Sequence, residues 1–101
     1  MSFGRIPANS KKGHEISKDL FNQLSARFPE HFIFDCDTWP TFVDKGAKQG
    51  FIRESRQIIV TYIYPRPDEG FQVVFDRCVQ GRGIRHFQTF EQVCAFVQEN
   101  V

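Results

Sequence analysis

Apolar side chains recur along this chain in two rhythms. From residue 16 to residue 28 they fall at four-residue steps: Ile16, Leu20, Leu24 and Phe28, with Phe21 beside them. That spacing lays one apolar stripe along a helix. Ser17 is the candidate N-cap, and Asp19 in the first turn suits the helix dipole. Ile16 and Phe21 bracket the cap at hydrophobic-staple spacing, and Pro29 stops the helix near Phe28. A second helix is predicted near the end of the sequence, where Thr89 and Gln92 form a capping box. Its stripe is Phe90, Val93, Cys94 and Val97 with Val101 in line, and Phe96 points away from it.

Between the helices the rhythm changes to two, the period of a strand. Residues 31–38 alternate Phe32, Phe34 and Cys36 with Ile33, Asp35 and Asp37, and Trp39-Pro40 ends or bends that strand. Residues 58–64 and 71–78 are rich in β-branched and aromatic side chains and form a hairpin around Pro65-Arg66-Pro67-Asp68-Glu69-Gly70. With Tyr64 opposite Phe71, one face collects Ile58, Val60, Tyr62, Tyr64, Phe71, Val73 and Phe75. A turn at Gln80-Gly81-Arg82-Gly83 leads to a short strand over residues 84–88, which adds Val79 and Ile84 to that face. Residues 41–56 fit either a further hairpin or one long loop.

The expected fold is therefore α+β: a small antiparallel sheet of three to five strands, with an N-terminal and a C-terminal helix, in the order α-β-(β-β)-β-β-β-α. Residues 1–13 read as a mobile basic tail and residues 14–101 as one domain. The other sheet face would carry Ile59, Ile63, Val74 and Phe87, too apolar for a face in water. A second copy of the chain is one natural cover for it.

Composition narrows the class. The 101 residues hold 13 Lys+Arg against 12 Asp+Glu, net charge +1, and 41% are hydrophobic. That is too apolar for a disordered chain and too neutral for a globally basic nucleic-acid binder. No stretch is apolar enough to span a membrane. Cys36, Cys78 and Cys94 form no metal-site spacing, and an odd, sparse set reads as reduced thiols in a cytoplasmic protein. No motif calls for a cofactor.

Three groups of residues carry candidate chemistry. Asp35 and Asp37 lie on one face of their strand, a pairing that suits a divalent metal in a hydrolase or nuclease. Trp39, Lys45, Lys48 and Arg53 mix an aromatic platform with cations, as single-stranded nucleic acid requires. Arg77, Arg82, Arg85 and His86 make a basic hairpin in which Arg77 faces His86, and Arg82 sits at a flexible tip suited to phosphate or carboxylate. The order helix, strands, helix resembles the double-stranded-RNA-binding domain in topology alone. Lysines open the last helix of that family, whereas here it opens Thr89-Phe90-Glu91-Gln92 and holds no Lys or Arg, so no residue role is carried over.

These features rank three functions. The first is a non-enzymatic binding or regulatory module acting through a protein–protein surface, a homodimer contact being one form of it. The second is a nucleic-acid binder using the tail, the 39–56 segment and the arginine hairpin. The third is a small metal-dependent hydrolase using Asp35 and Asp37.

Overall fold

A computed structural model describes residues 11–35, 39–42, 56–63 and 68–101. Helix α1 (Lys11–Arg27) is followed by strands β1 (Phe32–Asp35), β2 (Trp39–Phe42), β3 (Gln57–Tyr62), β4 (Phe71–Cys78) and β5 (Gly81–Phe87), and by helix α2 (Phe90–Gln98). The strands form one antiparallel sheet in chain order, β1-β2-β3-β4-β5. The expected α+β class holds, with the two helices at the two ends of the element order.

Both helices pack on one face, here called the inner face. Leu20, Leu24 and Phe28 of the α1 segment and Val93, Cys94, Phe96 and Val97 of α2 join Phe32, Phe42, Ile58, Val60, Phe71, Val73 and Phe75 in a single buried cluster. α1 lies over β1 to β3 and α2 over β4 and β5. A bidentate ion pair, Arg27 to Glu91 at 2.8 and 3.2 Å, ties the last turn of α1 to the first of α2. The pair raises the Arg27 pKa and holds the Glu91 carboxyl below its usual range.

The helix boundaries follow local chemistry with one correction. α1 starts at Lys11, not after Ser17, and takes in Lys11 and Lys12, which composition assigns to the tail. Ser17 is buried within the helix at 2% exposure. The Thr89–Gln92 capping box forms as expected, with Gln92 N–H on Thr89 Oγ1 at 3.2 Å and Thr89 N–H on Gln92 Oε1 at 3.1 Å. Phe96, expected to point away, is 3% exposed and packs its ring 5.1 Å from Phe75 and 5.7 Å from Phe87. Val101, expected in the stripe, is half exposed.

Trp39-Pro40 starts a strand instead of ending one. Pro40 pairs with Phe34 on β1, and the pairing of β2 with β3 begins only at Thr41. The imino nitrogen therefore withholds no bond from β3. Thr41-Phe42 is a strand; Phe51, Ile52 and Arg53 lie outside the described residues.

Two registers differ from expectation. Tyr62, not Tyr64, faces Phe71, a slip of two that leaves every β3 side chain on its expected face. Ile63 N–H donates to Gly70 O at 3.2 Å and closes the ladder beyond Tyr62. The change on β5 is larger. Between the pairs Phe75–Gly83 and Cys78–Gly81, β4 spends one residue more than β5. Arg77 sits in this bulge at φ 57, in the left-handed region. An odd-numbered slip turns a strand over. Hence His86 faces Gln72 instead of Arg77, and Arg85 faces Val73. Phe87 moves to the inner face and Ile84 to the outer. Ile84 is 62% exposed and Val79, also expected inside, is 78% exposed. The turn is Val79-Gln80, so Arg82 lies within β5 and not at a tip.

Candidate binding surface

The bulge sorts the β5 side chains into two groups. Arg85 and Phe87 share the inner face; Arg82, Ile84 and His86 share the outer. Among the described residues β5 is an edge of the sheet, paired with β4 alone, and most of its residues are exposed.

On the inner side, α2 and β5 border an open groove of about 430 Å³ lined by Arg85, Phe87, Gln88, Gln92, Phe96 and Glu99 among others. The Arg85 guanidinium stands 5.1 Å from the Phe87 ring centre and 5.8 Å from that of Phe96. Stacking uses the faces of the guanidinium and leaves its N–H edge free to donate. Among the described residues Arg85 has no hydrogen-bond or ion-pair partner. Of the nearby acids, Glu91 pairs with Arg27, whereas Glu99, across the groove, accepts from the neutral Gln80 amide. On the outer face His86 Nε2 lies 3.2 Å from Gln72 Oε1.

The outer face carries a straight cross-strand row: Ile33, Thr41, Ile59, Val74 and Ile84 are successive partners on β1 to β5. Thr41 is buried, Ile59 and Val74 are half-buried, and Ile84 is open. At the open end a depression of about 510 Å³ is lined by Gln57, Val74, Asp76, Arg82 and Ile84, with Phe75 and Gly83 behind. The side chains of Asp76 and Arg82 both reach it, and among the described residues neither has an ion-pair partner.

One residue that the sequence does not flag holds this end together. Asn100 is 1% exposed. Its Oδ1 accepts from Val79 N–H at 2.9 Å, and its Nδ2 donates to Phe96 O at 3.0 Å and to Gln80 Oε1 at 3.3 Å. Arg56 donates to its backbone carbonyl. Asn100 thereby pins the end of α2 to the β4–β5 turn and the start of β3. No sequence signal marks it, because an Asn just past a helix looks like an ordinary C-terminal residue.

The other expected sites are scattered. Lys45, Lys48, Arg53 and Asp37 lie outside the described residues. Trp39 and Asp35 face each other at the end of the β1–β2 pair. β2 is three strand spacings from β5, about 14 Å, so the Trp39 position and the arginine hairpin do not share one site. Arg77 is exposed at the bulge, apart from both faces of β5. Arg56, at the edge of the 39–56 segment, is turned inward over the Phe42 ring at 5.7 Å. Of the expected interface, Ile59, Ile63 and Val74 are half-buried, Ile59 and Val74 in the outer row, and Phe87 is on the inner face. Among the described residues, no group of three or more His, Cys, Asp or Glu side chains is placed to hold a metal ion, and no helix is long and apolar enough to cross a membrane. Cys94 is buried, which pushes its thiol pKa up and makes it a poor nucleophile. Comparison with known proteins finds no matching family model, no matching curated protein and no matching solved structure.

Proposed function

We propose that the chain is a non-enzymatic cytoplasmic binding or regulatory module that acts through a protein surface at the β5 end of its sheet, with a second copy as the occupant of the outer face. The observation that carries this reading is the depression around Ile84, where exposed apolar surface meets one acid, Asp76, and one base, Arg82, neither ion-paired among the described residues. A surface that holds both signs beside an apolar centre is complementary to itself. In a two-fold dimer Arg82 of each copy reaches Asp76 of the other, and the pairing occurs twice.

The test is the mass by light scattering at micromolar concentration. The reading expects a dimer. Arg82→Asp and Asp76→Arg each weaken it, and the double swap restores it, because the charges meet again in exchanged places. A monomeric wild-type protein overturns the second-copy contact, as does a double swap no better than the single variants.

A further inference from the structure

We propose that the β5 edge is a second site, adjoining the Ile84 depression: it takes an extended acidic peptide by strand addition, gripping a carboxylate with Arg85. Three observations converge on it. First, β5 presents seven residues of edge strand, and among the described residues only β4 pairs with it; such an edge is a ready template for another strand. Second, the strand from Gly81 to Phe87 carries Arg82, Arg85 and His86 and no acid, so an added strand of opposite charge is favoured. A second β5 is disfavoured there, since pairing would set the same cations against each other. Third, Arg85 is already held. Two aromatic rings beside its guanidinium restrain it while its N–H edge has no partner among the described residues, so less rotamer freedom is lost when a carboxylate docks bidentately.

The geometry also gives the pattern of the ligand. Side chains of an added strand point alternately to the two faces. Those on the inner side enter the groove between β5 and α2 and meet Arg85, Gln92 and Phe96. Those on the outer side run beside Ile84, which is 62% exposed. The matching segment alternates carboxylate and β-branched apolar residues. Nucleic acid could satisfy the cations but not the free backbone edge, which is why the peptide is the occupant argued for.

The probe is a synthetic peptide of repeated Glu-Val dipeptides, compared with the Gln-Val peptide and with oligothymidylate. Affinity is read by fluorescence anisotropy and location by amide chemical shifts. The Glu-Val peptide should bind with shifts concentrated on residues 81–87, and the Gln-Val peptide should bind about tenfold or more weakly, the worth of a charge-assisted hydrogen bond. Arg85→Gln should bring the two peptides to equal affinity, with an unchanged melting temperature showing that the fold is intact. Arg85→Lys, the fallback should Arg85→Gln unfold, keeps the charge but not the fork and should fall between. Equal binding of both peptides by the wild type, shifts away from β5, no binding at millimolar peptide, or displacement of the peptide by oligothymidylate at lower concentration overturns the proposal. Because the readout is Arg85 and not oligomer mass, its failure is distinct from failure of the second-copy contact.

Discussion

Replacing Asn100 by Ala is the sharpest test of how the sheet end is held. The side chain is 1% exposed and makes three hydrogen bonds: from Val79 N–H, to Phe96 O and to Gln80 Oε1. The Gln80 bond is the least costly to lose, since Gln80 is exposed and water replaces the partner. The other two each contribute about 1 kcal/mol net, and a buried group left unpaired adds to that. The expected loss is about 2–3 kcal/mol, which lowers the melting temperature of a domain this size by about 10–20 °C. Urea unfolding followed by circular dichroism measures it. The midpoint should fall with the slope unchanged, because the native packing elsewhere is kept. Asn100→Asp is the companion variant. It retains an acceptor for Val79 N–H but aims a carboxylate at Phe96 O, so at pH 7 it should be at least as damaging as Ala and should recover as the carboxyl is protonated in acid. A loss below about 0.5 kcal/mol for Asn100→Ala, the range of an ordinary surface change, refutes the role of Asn100 as the pin.

Two further outcomes follow from the packing. Gly70 has φ 98, and a Cβ there would stand 2.5 Å from Phe87 O. Gly70→Ala should therefore destabilise by more than about 2 kcal/mol in the same urea assay, combining left-handed strain with a backbone clash, and a neutral result would mean that the β4–β5 ladder starts elsewhere. Alkaline stability tests the buried acids. Burial raises the Cys94 thiol pKa despite the nearby Arg27 cation, and burial together with the Asp19 carboxylate raises the Tyr62 phenol. The folded chain then keeps protons that the unfolded chain releases, so stability is present below the ordinary thiol and phenol values and is lost as pH rises through the raised ones. Tyr62→Phe and Cys94→Ala together should flatten that decline.

How much was legible depended on the range of the interaction. The capping box at Thr89, the stripe of Leu20, Leu24 and Phe28, and the alternation on β3 and β4 are contacts between near neighbours in the chain. Each side chain states its own environment, so these elements could be read directly, and so could the α+β class. The Tyr62–Phe71 register lies two residues from the one the alternation suggests, and because the side-chain period of a strand is two the faces are the same.

The face assignment on β5 was different in kind. One bulge residue, Arg77 at φ 57, turns the whole strand over, exposing Ile84 and carrying Arg85 and Phe87 onto the helix side. Nothing about an Arg in a run of strand formers announces a left-handed backbone. The choice is made by packing, since Phe87 reaches Phe96 and Phe71 only in the turned-over strand. The candidate surface depends on that choice, as does the role of Asn100, whose partners lie some twenty residues away along the chain. Local side-chain chemistry thus determined the elements and their order. Tertiary packing decided which way the edge strand faces, because the free-energy difference between its two faces comes from contacts with α2 that no single segment contains.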